Sequence, residues 1–214
     1  MKALILAKGE LNKVDVVQQR ICAESFDLII GVDGGTRYAH ILNLTPDIII
    51  GDMDSLTDLD RQKFNKAEYM RYPVDKDETD LELALQYVVK MKVEKIVMIG
   101  VMGGRMDMTI ANIMLISQIK MATHLIEIWH GEQTGFVINP PGKAVYGHTG
   151  DTISIIPLNG VASAVTTKGL KYALNNENLF QGSVRGISNM FTESSAHIIL
   201  DSGLLLAVHT PRVS

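Results

Sequence analysis

The chain has 214 residues, 46% of them hydrophobic and 21% charged, with a single cysteine, Cys22. At roughly 150 residues per domain this is one large domain or two small ones, in globular rather than disordered or fibrous proportions. Twenty Lys and Arg stand against 24 Asp and Glu, a formal charge of -4, so no basic face is offered to nucleic acid, and any phosphate-bearing ligand must be held locally or through a cation.

Met1 leads straight into the strand-like ALILA with no basic leader. No apolar run approaches the ~20 residues of a membrane span, and a soluble cytoplasmic protein is expected. In the first half, apolar runs at residues 3–7, 28–32, 48–50, 95–100 and 125–129 read as strands. They are apolar throughout, as strands covered on both faces are, and parallel pairing follows. Between them, residues 11–23, 36–42, 79–91 and 107–121 have helical spacing, the third with Leu81, Leu85, Val88 and Val89 on one stripe. Cys22 falls in the first helix and reads as a buried structural thiol. The alternation predicts an α/β domain: a mostly parallel sheet, helices on both faces, and right-handed crossovers.

Past Trp129 the pattern changes to short β-branched runs punctuated by Gly and Pro, at 152–156, 161–166, 197–200 and 204–208. These predict a smaller, all-β antiparallel sandwich or barrel. The boundary is placed between His130 and Gln133, giving domains 1–130 and 131–214 with Trp129 near the seam. Pro140, Pro141 and Gly142 mark a turn.

In an open parallel sheet, ligands bind where strands end. Here those positions are acidic: VDGG at 32–35, GDMDS at 51–55, DKDETD at 75–80 and GGRMD at 103–107. Crowded carboxylates repel unless a cation or a shared proton relieves them. Mg²⁺ fits, because it takes hard oxygen ligands and needs only one or two carboxylates beside phosphate oxygens. In an extended segment, Asp52 and Asp54 would point to one side and Met53 to the other. Ser55 caps the next turn or donates to a phosphate. Thr79 and Glu82 have capping-box spacing, with Asp80 in the first helical turn, while Asp75 and Asp77 remain extra charges. Gly34-Gly35 and Gly103-Gly104 admit close approach of a phosphate to backbone amides. Arg37 and Arg105 beside them have the geometry to pair with phosphate oxygens, or else are solvated surface charges. Neither a dinucleotide fingerprint nor a P-loop is present.

With these blocks in this order, followed by TTKGLKY at 166–172 and GISN at 186–189, the sequence resembles the thiamine pyrophosphokinase family over nearly its whole length. The resemblance implies pyrophosphoryl transfer from ATP to the hydroxyl of thiamine, giving thiamine diphosphate and AMP. It implies Mg²⁺ as cofactor, an N-terminal nucleotide domain, a C-terminal thiamine-binding β-sandwich, and a homodimer with active sites between subunits. Asp52, Asp54 and Asp80 correspond to the family's catalytic and metal-binding aspartates. Asp33, Gly34 and Gly35 correspond to its nucleotide-side loop. Arg37, Asp77, Thr79, Gly104, Arg105 and Asp107 complete the expected nucleotide contacts. Ser188 and Asn189 match the motif lining the thiamine pocket, and Tyr172 faces the thiazolium ring or packs in a sheet. Lys76 stands where some members carry Gln, and Gly186 and Ile187 replace small hydroxyl residues.

Two other readings start from the same residues. A strand ending in D-x-D resembles the nucleophile motif of haloacid dehalogenase-type phosphatases, with Asp52 phosphorylated. That motif usually follows the first strand and carries Thr or Val where Leu56 stands. The other is a nucleotide- or metal-sensing module without catalysis. Met102, Met106, Met108 and Met114 read as helix and core packing. His130, His148 and His209 lack zinc spacing and read as ordinary polar sites.

Overall fold

The computed structural model describes residues 1–118 and 125–212, which divide into two units, Met1–Gly131 and Glu132–Ser214. The tail of the fourth predicted helix, residues 119–121, lies outside the described residues.

In the first unit the strands are β1 (Lys2–Leu6), β2 (Leu28–Val32), β3 (Ile48–Gly51), β4 (Glu68–Arg71), β5 (Lys95–Ile99) and β6 (Leu125–His130). They pair in parallel in the order β6-β5-β1-β2-β3-β4. β1 sits inside, with Ala3 opposite Leu28 on one side and Ile96 on the other. Ala3, Leu4, Ile5 and Leu6 are fully buried, so this strand shows no polar alternation. β4 is the edge strand; its sequence EYMR carries no apolar run because one side needs no partner, and sequence patterning missed it.

The helices are α1 (Val14–Ala23), α2 (Arg37–Ile41), α3 (Asp58–Lys63), α4 (Asp80–Lys90) and α5 (Met106–Gln118), with a 3₁₀ turn over Asp33–Thr36 before α2. α1 begins later than its pattern predicts because Lys13, at φ 47, is left-handed and stops the helix from extending backwards. Only Val17 and Ile21 of α1 are buried, which leaves Cys22, one step round the helix, exposed. That corrects the expectation of a buried thiol. α3 escaped the periodicity reading because it is short and held by its cap: Thr57 and Asp60 form a capping box, with Asp in place of the usual Glu. α4 buries Leu81, Leu85 and Val88 as the stripe predicts, each contributing ~1.5–3 kcal/mol relative to exposure. α5 departs from expectation. Among its described side chains Asn112 and Ile116 are buried, and Met106, Ile110 and Met114 follow one another at i, i+4, i+8 in the open, 78%, 50% and 54% exposed. Met106 and Met114 are therefore surface residues rather than core packing.

One core joins β1, β3 and β5 to α1 and α2 through Leu4, Leu6, Ile49, Val97, Val17 and Tyr38. Trp129 belongs to it, edge-on to Phe26 and beneath the Arg20 guanidinium at 4.1 Å. At the N-terminal ends of the strands, Lys95 bridges Glu24 (2.9 Å) and Glu127 (3.0 Å), and Lys2 adds a contact to Glu24 at 3.1 Å. The opposite, C-terminal ends carry the acidic loops. No helix among the described residues is long and apolar enough to cross a membrane.

The second unit is all β: β7 (Gln133–Ile138), β8 (Gly142–Tyr146), β9 (Thr152–Pro157), β10 (Val161–Lys168), β11 (Glu177–Phe180), β12 (Asn189–Met190), β13 (Ser195–Ile199) and β14 (Leu205–Thr210). They form two antiparallel layers, β7-β14-β9-β12 and β8-β13-β10-β11. Ile153, Ile155, Leu205 and Ala207 of one layer share a core with Val145, Val165, Ala196 and Ile198 of the other. Asp151, nearly fully buried, accepts from the His148 amide (2.9 Å), the Arg212 amide (2.9 Å) and the His209 ring (2.7 Å). His209 is thus a structural partner rather than an ordinary polar site.

Candidate active site

Asp33 follows β2 and Asp52 follows β3, two neighbouring parallel strands, so the fold places both loops at one sheet edge. Glycine permits their approach: a side chain at Gly51 would put its Cβ 3.0 Å from that of Asp33. Oxygens of Asp33, Asp52 and Asp54 come within 4.8 Å of one another. The 52–54 segment reaches this arrangement by a turn, not by the extended alternation predicted. Met53 is left-handed (φ 70) and buried, and the Asp54 amide donates to Asp52 Oδ1 at 3.0 Å. That hydrogen bond, with the positive charges of Lys76 and Lys8, holds Asp52 below the usual carboxylate range against a burial effect in the other direction.

Asp33 Oδ1 is buried without a hydrogen-bond partner, while its Oδ2 lies 3.5 Å from Lys8 Nζ. Lys8 Nζ donates to Ser55 Oγ at 2.7 Å, and Ser55 Oγ donates to Asp54 Oδ1 at 3.1 Å. Asp80 stands apart from the three. It opens α4 behind the Thr79 cap, whose Oγ1 accepts from the Glu82 amide at 3.2 Å, and it pairs with Lys76 at 2.9 Å. A set of hard oxygens containing an orphaned, buried carboxylate oxygen fits a divalent cation of the Mg²⁺ type.

A cavity of about 420 Å³ opens beside this group, lined among others by Lys8, Asp33, Thr79, Asp80, Gly104 and Arg105. Its glycine loop is fixed by Thr109, whose Oγ1 accepts from the Gly103 amide at 3.1 Å, and by Glu10, whose Oε1 accepts from the Gly104 amide at 3.2 Å. Arg105 is held in a fork on Asp107, with contacts of 3.1 and 2.5 Å. The fork raises the guanidinium and lowers the carboxyl, with both side chains exposed. Not every expected residue reaches the cavity. Arg37 is exposed and lies over the Tyr38 ring at 5.2 Å, and Asp77 is exposed outside the lining. Gly34 and Gly35 serve close packing: a Cβ on Gly34 would meet the Lys8 side chain at 2.8 Å, and one on Gly35 would meet Leu6 O at 2.3 Å.

By sequence, Asp80 groups with Asp52 and Asp54, and Asp33 falls on the nucleotide side; in the structure Asp33 is the residue that joins the pair. Lys8 and Glu10 are further site residues that the acidic motifs do not single out. The signal was present, since Lys8-Gly9-Glu10 follows the first apolar run just as the acidic blocks follow later ones.

A second cavity, about 380 Å³, lies within the β unit, lined among others by Tyr172, Leu174, Ser183, Arg185, Gly186 and Asn189. Asn189 is buried and its side chain is spent on backbone: Oδ1 accepts from the Tyr172 and Met190 amides (both 2.9 Å), and Nδ2 donates to Tyr172 O (2.7 Å). It therefore positions Tyr172, whose ring is half in solvent rather than packed in a sheet. Ser188, left-handed at φ 54, donates its amide to Ser154 Oγ at 3.0 Å.

Comparison with known proteins agrees with this two-part arrangement. Residues 20–129 match the family model "Thiamin pyrophosphokinase, catalytic domain", and residues 137–205 match "Thiamin pyrophosphokinase, vitamin B1 binding domain". A thiamine pyrophosphokinase of Bacillus subtilis (strain 168) is 32% identical over 189 residues, covering 86% of this chain and 87% of the relative. The crystal structure of thiamine pyrophosphokinase from Bacillus subtilis superposes with a TM-score of 0.87 at 26% identity, over 100% of both chains. That of thiamin pyrophosphokinase from Geobacillus thermodenitrificans gives 0.83 at 27% identity, over 100% of this chain and 99% of that one. By sequence and by fold, the chain belongs to the thiamin pyrophosphokinase family.

Proposed function

We propose that the chain transfers the pyrophosphoryl group of ATP to the hydroxyethyl oxygen of thiamine, giving thiamine diphosphate and AMP. The observation that carries this reading is the convergence of Asp33, Asp52 and Asp54 beside the cavity that Asp80, Thr79, Gly104 and Arg105 line. Asp52, Asp54 and Asp33 hold Mg²⁺, with Asp80 facing the same nucleotide. When bound among these residues, such an ion would supply neutralisation of the charge that develops on the leaving group. The chain's own residues position the reactants. Arg105 at the cavity wall receives phosphate oxygens, and the N-terminal ends of α4 and α5 add favourable dipoles. Thiamine's oxygen attacks the β-phosphorus, the bond from that phosphorus to the α–β bridging oxygen breaks, and AMP departs. The hydroxyl proton passes to one of the carboxylates Asp52, Asp54 or Asp80; an unbound one is the better base.

Thiamine is assigned to the β unit, with Tyr172 over the cationic ring and Ser188 and Asn189 shaping the pocket. The two units act as nucleotide domain and thiamine domain. A cytoplasmic homodimer is part of the same reading, with the exposed Met106, Ile110 and Met114 stripe as available apolar surface. An AMP-release assay with thiamine and its close analogues, run with and without Mg²⁺, tests the proposal. AMP formation that needs both thiamine and the ion supports it. Free phosphate from small phosphomonoesters, with no AMP, would favour the phosphatase instead.

A further inference from the structure

We propose that Lys8 is a resident counter-ion that exchanges partners on substrate binding: it neutralises Asp33 in the free protein and pairs with nucleotide phosphate oxygens in the complex. This rests on the nucleotide site proposed above. Lys8 follows β1, the strand adjacent to β2, so its side chain rises beside the loop that carries Asp33. It runs across Gly34, where any Cβ would strike its Cδ and Cε at 2.8 Å, so the bare glycine surface fixes its course. Nζ ends 2.7 Å from Ser55 Oγ and 3.5 Å from Asp33 Oδ2, and the side chain lines the cavity while remaining 57% exposed.

Two features make this an exchangeable contact rather than a structural bridge. Asp33 Oδ2 is met only at 3.5 Å and Oδ1 not at all, so Lys8 leaves the carboxylate under-coordinated. The ammonium is also half in water, where an ion pair contributes little to stability. Charge balance points the same way. Asp33, Asp52, Asp54 and Asp80 face Lys8 and Lys76, leaving two negative charges, which one divalent ion cancels. Once that ion sits against Asp33, the carboxylate no longer depends on its 3.5 Å contact with Lys8, and the lysine can turn to the triphosphate, to which it binds as a point charge.

The mechanism predicts opposite responses to one substitution. Lys8→Met removes a competitor for the cation and a partner for the phosphates. Binding of Mn²⁺ alone should tighten about fivefold, and binding of α,β-methylene-ATP, whose α–β link cannot be broken, should weaken about tenfold. Lys66→Met, a surface charge control, should move neither, and thermal melting should match wild type. Unchanged affinities, or both moving in the same direction, would overturn the proposal. Failure of the wild-type chain itself to bind the analogue would instead overturn the nucleotide site and with it this role, a result distinguishable from wild-type binding that Lys8→Met leaves intact.

Discussion

Asp52→Asn removes one negative charge from the acidic group while leaving its local geometry in place. The Asp54 amide donates to Asp52 Oδ1 at 3.0 Å, and a carboxamide oxygen at the same position still accepts that bond, so the turn persists. What changes is the field at a bound cation. Two unit charges ~4 Å apart interact by about 1 kcal/mol even at the dielectric constant of water, so a doubly charged ion loses about 2 kcal/mol, or about thirtyfold in affinity. Lower effective dielectric beside the half-buried Asp33 makes this a lower bound. The turnover loss should be larger, at least ~100-fold, as for removal of one electrostatic stabiliser of a transition state. Equilibrium Mn²⁺ binding, followed by electron paramagnetic resonance, measures the first effect, and AMP release measures the second. An Asp52→Asn protein with a wild-type melt and Mn²⁺ affinity within twofold of wild type would refute the placing of a cation among these residues.

Contacts elsewhere in each unit have consequences of their own. Burial pushes Asp151 up, but the Arg212 and His148 amides and the His209 ring pull it down to about 2, below its ordinary 3.8. Its stabilising contribution is therefore complete above the ordinary value and lost as pH falls through about 2; Asp151→Asn should cost about 2–3 kcal/mol in urea unfolding at pH 6, and the difference from wild type should shrink towards pH 2. Lys95→Met leaves Glu24 and Glu127 without the amine they share, and should lower stability by about 1–3 kcal/mol in thermal unfolding. Because that cluster lies at the far ends of the strands, kcat at low temperature should stay near wild type. Gly35→Ala would force a Cβ to within 2.3 Å of Leu6 O and 2.5 Å of Ala7 C, both backbone atoms. A loss of at least ~1–3 kcal/mol of stability, with weakened binding of α,β-methylene-ATP, is expected from calorimetry.

The α/β unit was legible because its inner strands are buried on both faces and cannot hide their apolar runs; β1 and β3 are examples. β4 and α3 were not legible, since an edge strand and a capped six-residue helix are held by hydrogen bonds rather than by periodicity. In the second unit the alternation of Ile153 and Ile155 announced β9, whereas β12 is two residues long and exists through its pairing with β9. The acidic blocks were readable one by one, but their grouping was not. Which carboxylate joins Asp52 and Asp54 depends on β2 lying beside β3, a fact of topology, and on a left-handed turn at Met53 that an extended reading cannot supply. Asn189 illustrates the same limit: the motif places it at the pocket, but only coordinates reveal that its amide is consumed in holding Tyr172.

The most direct test of the whole account is to follow the phosphorus. ATP labelled at the β-phosphorus, incubated with thiamine, Mg²⁺ and the full chain, should yield label in thiamine diphosphate and an equal amount of unlabelled AMP. Label recovered in ADP or in free phosphate, with thiamine unchanged, would contradict it.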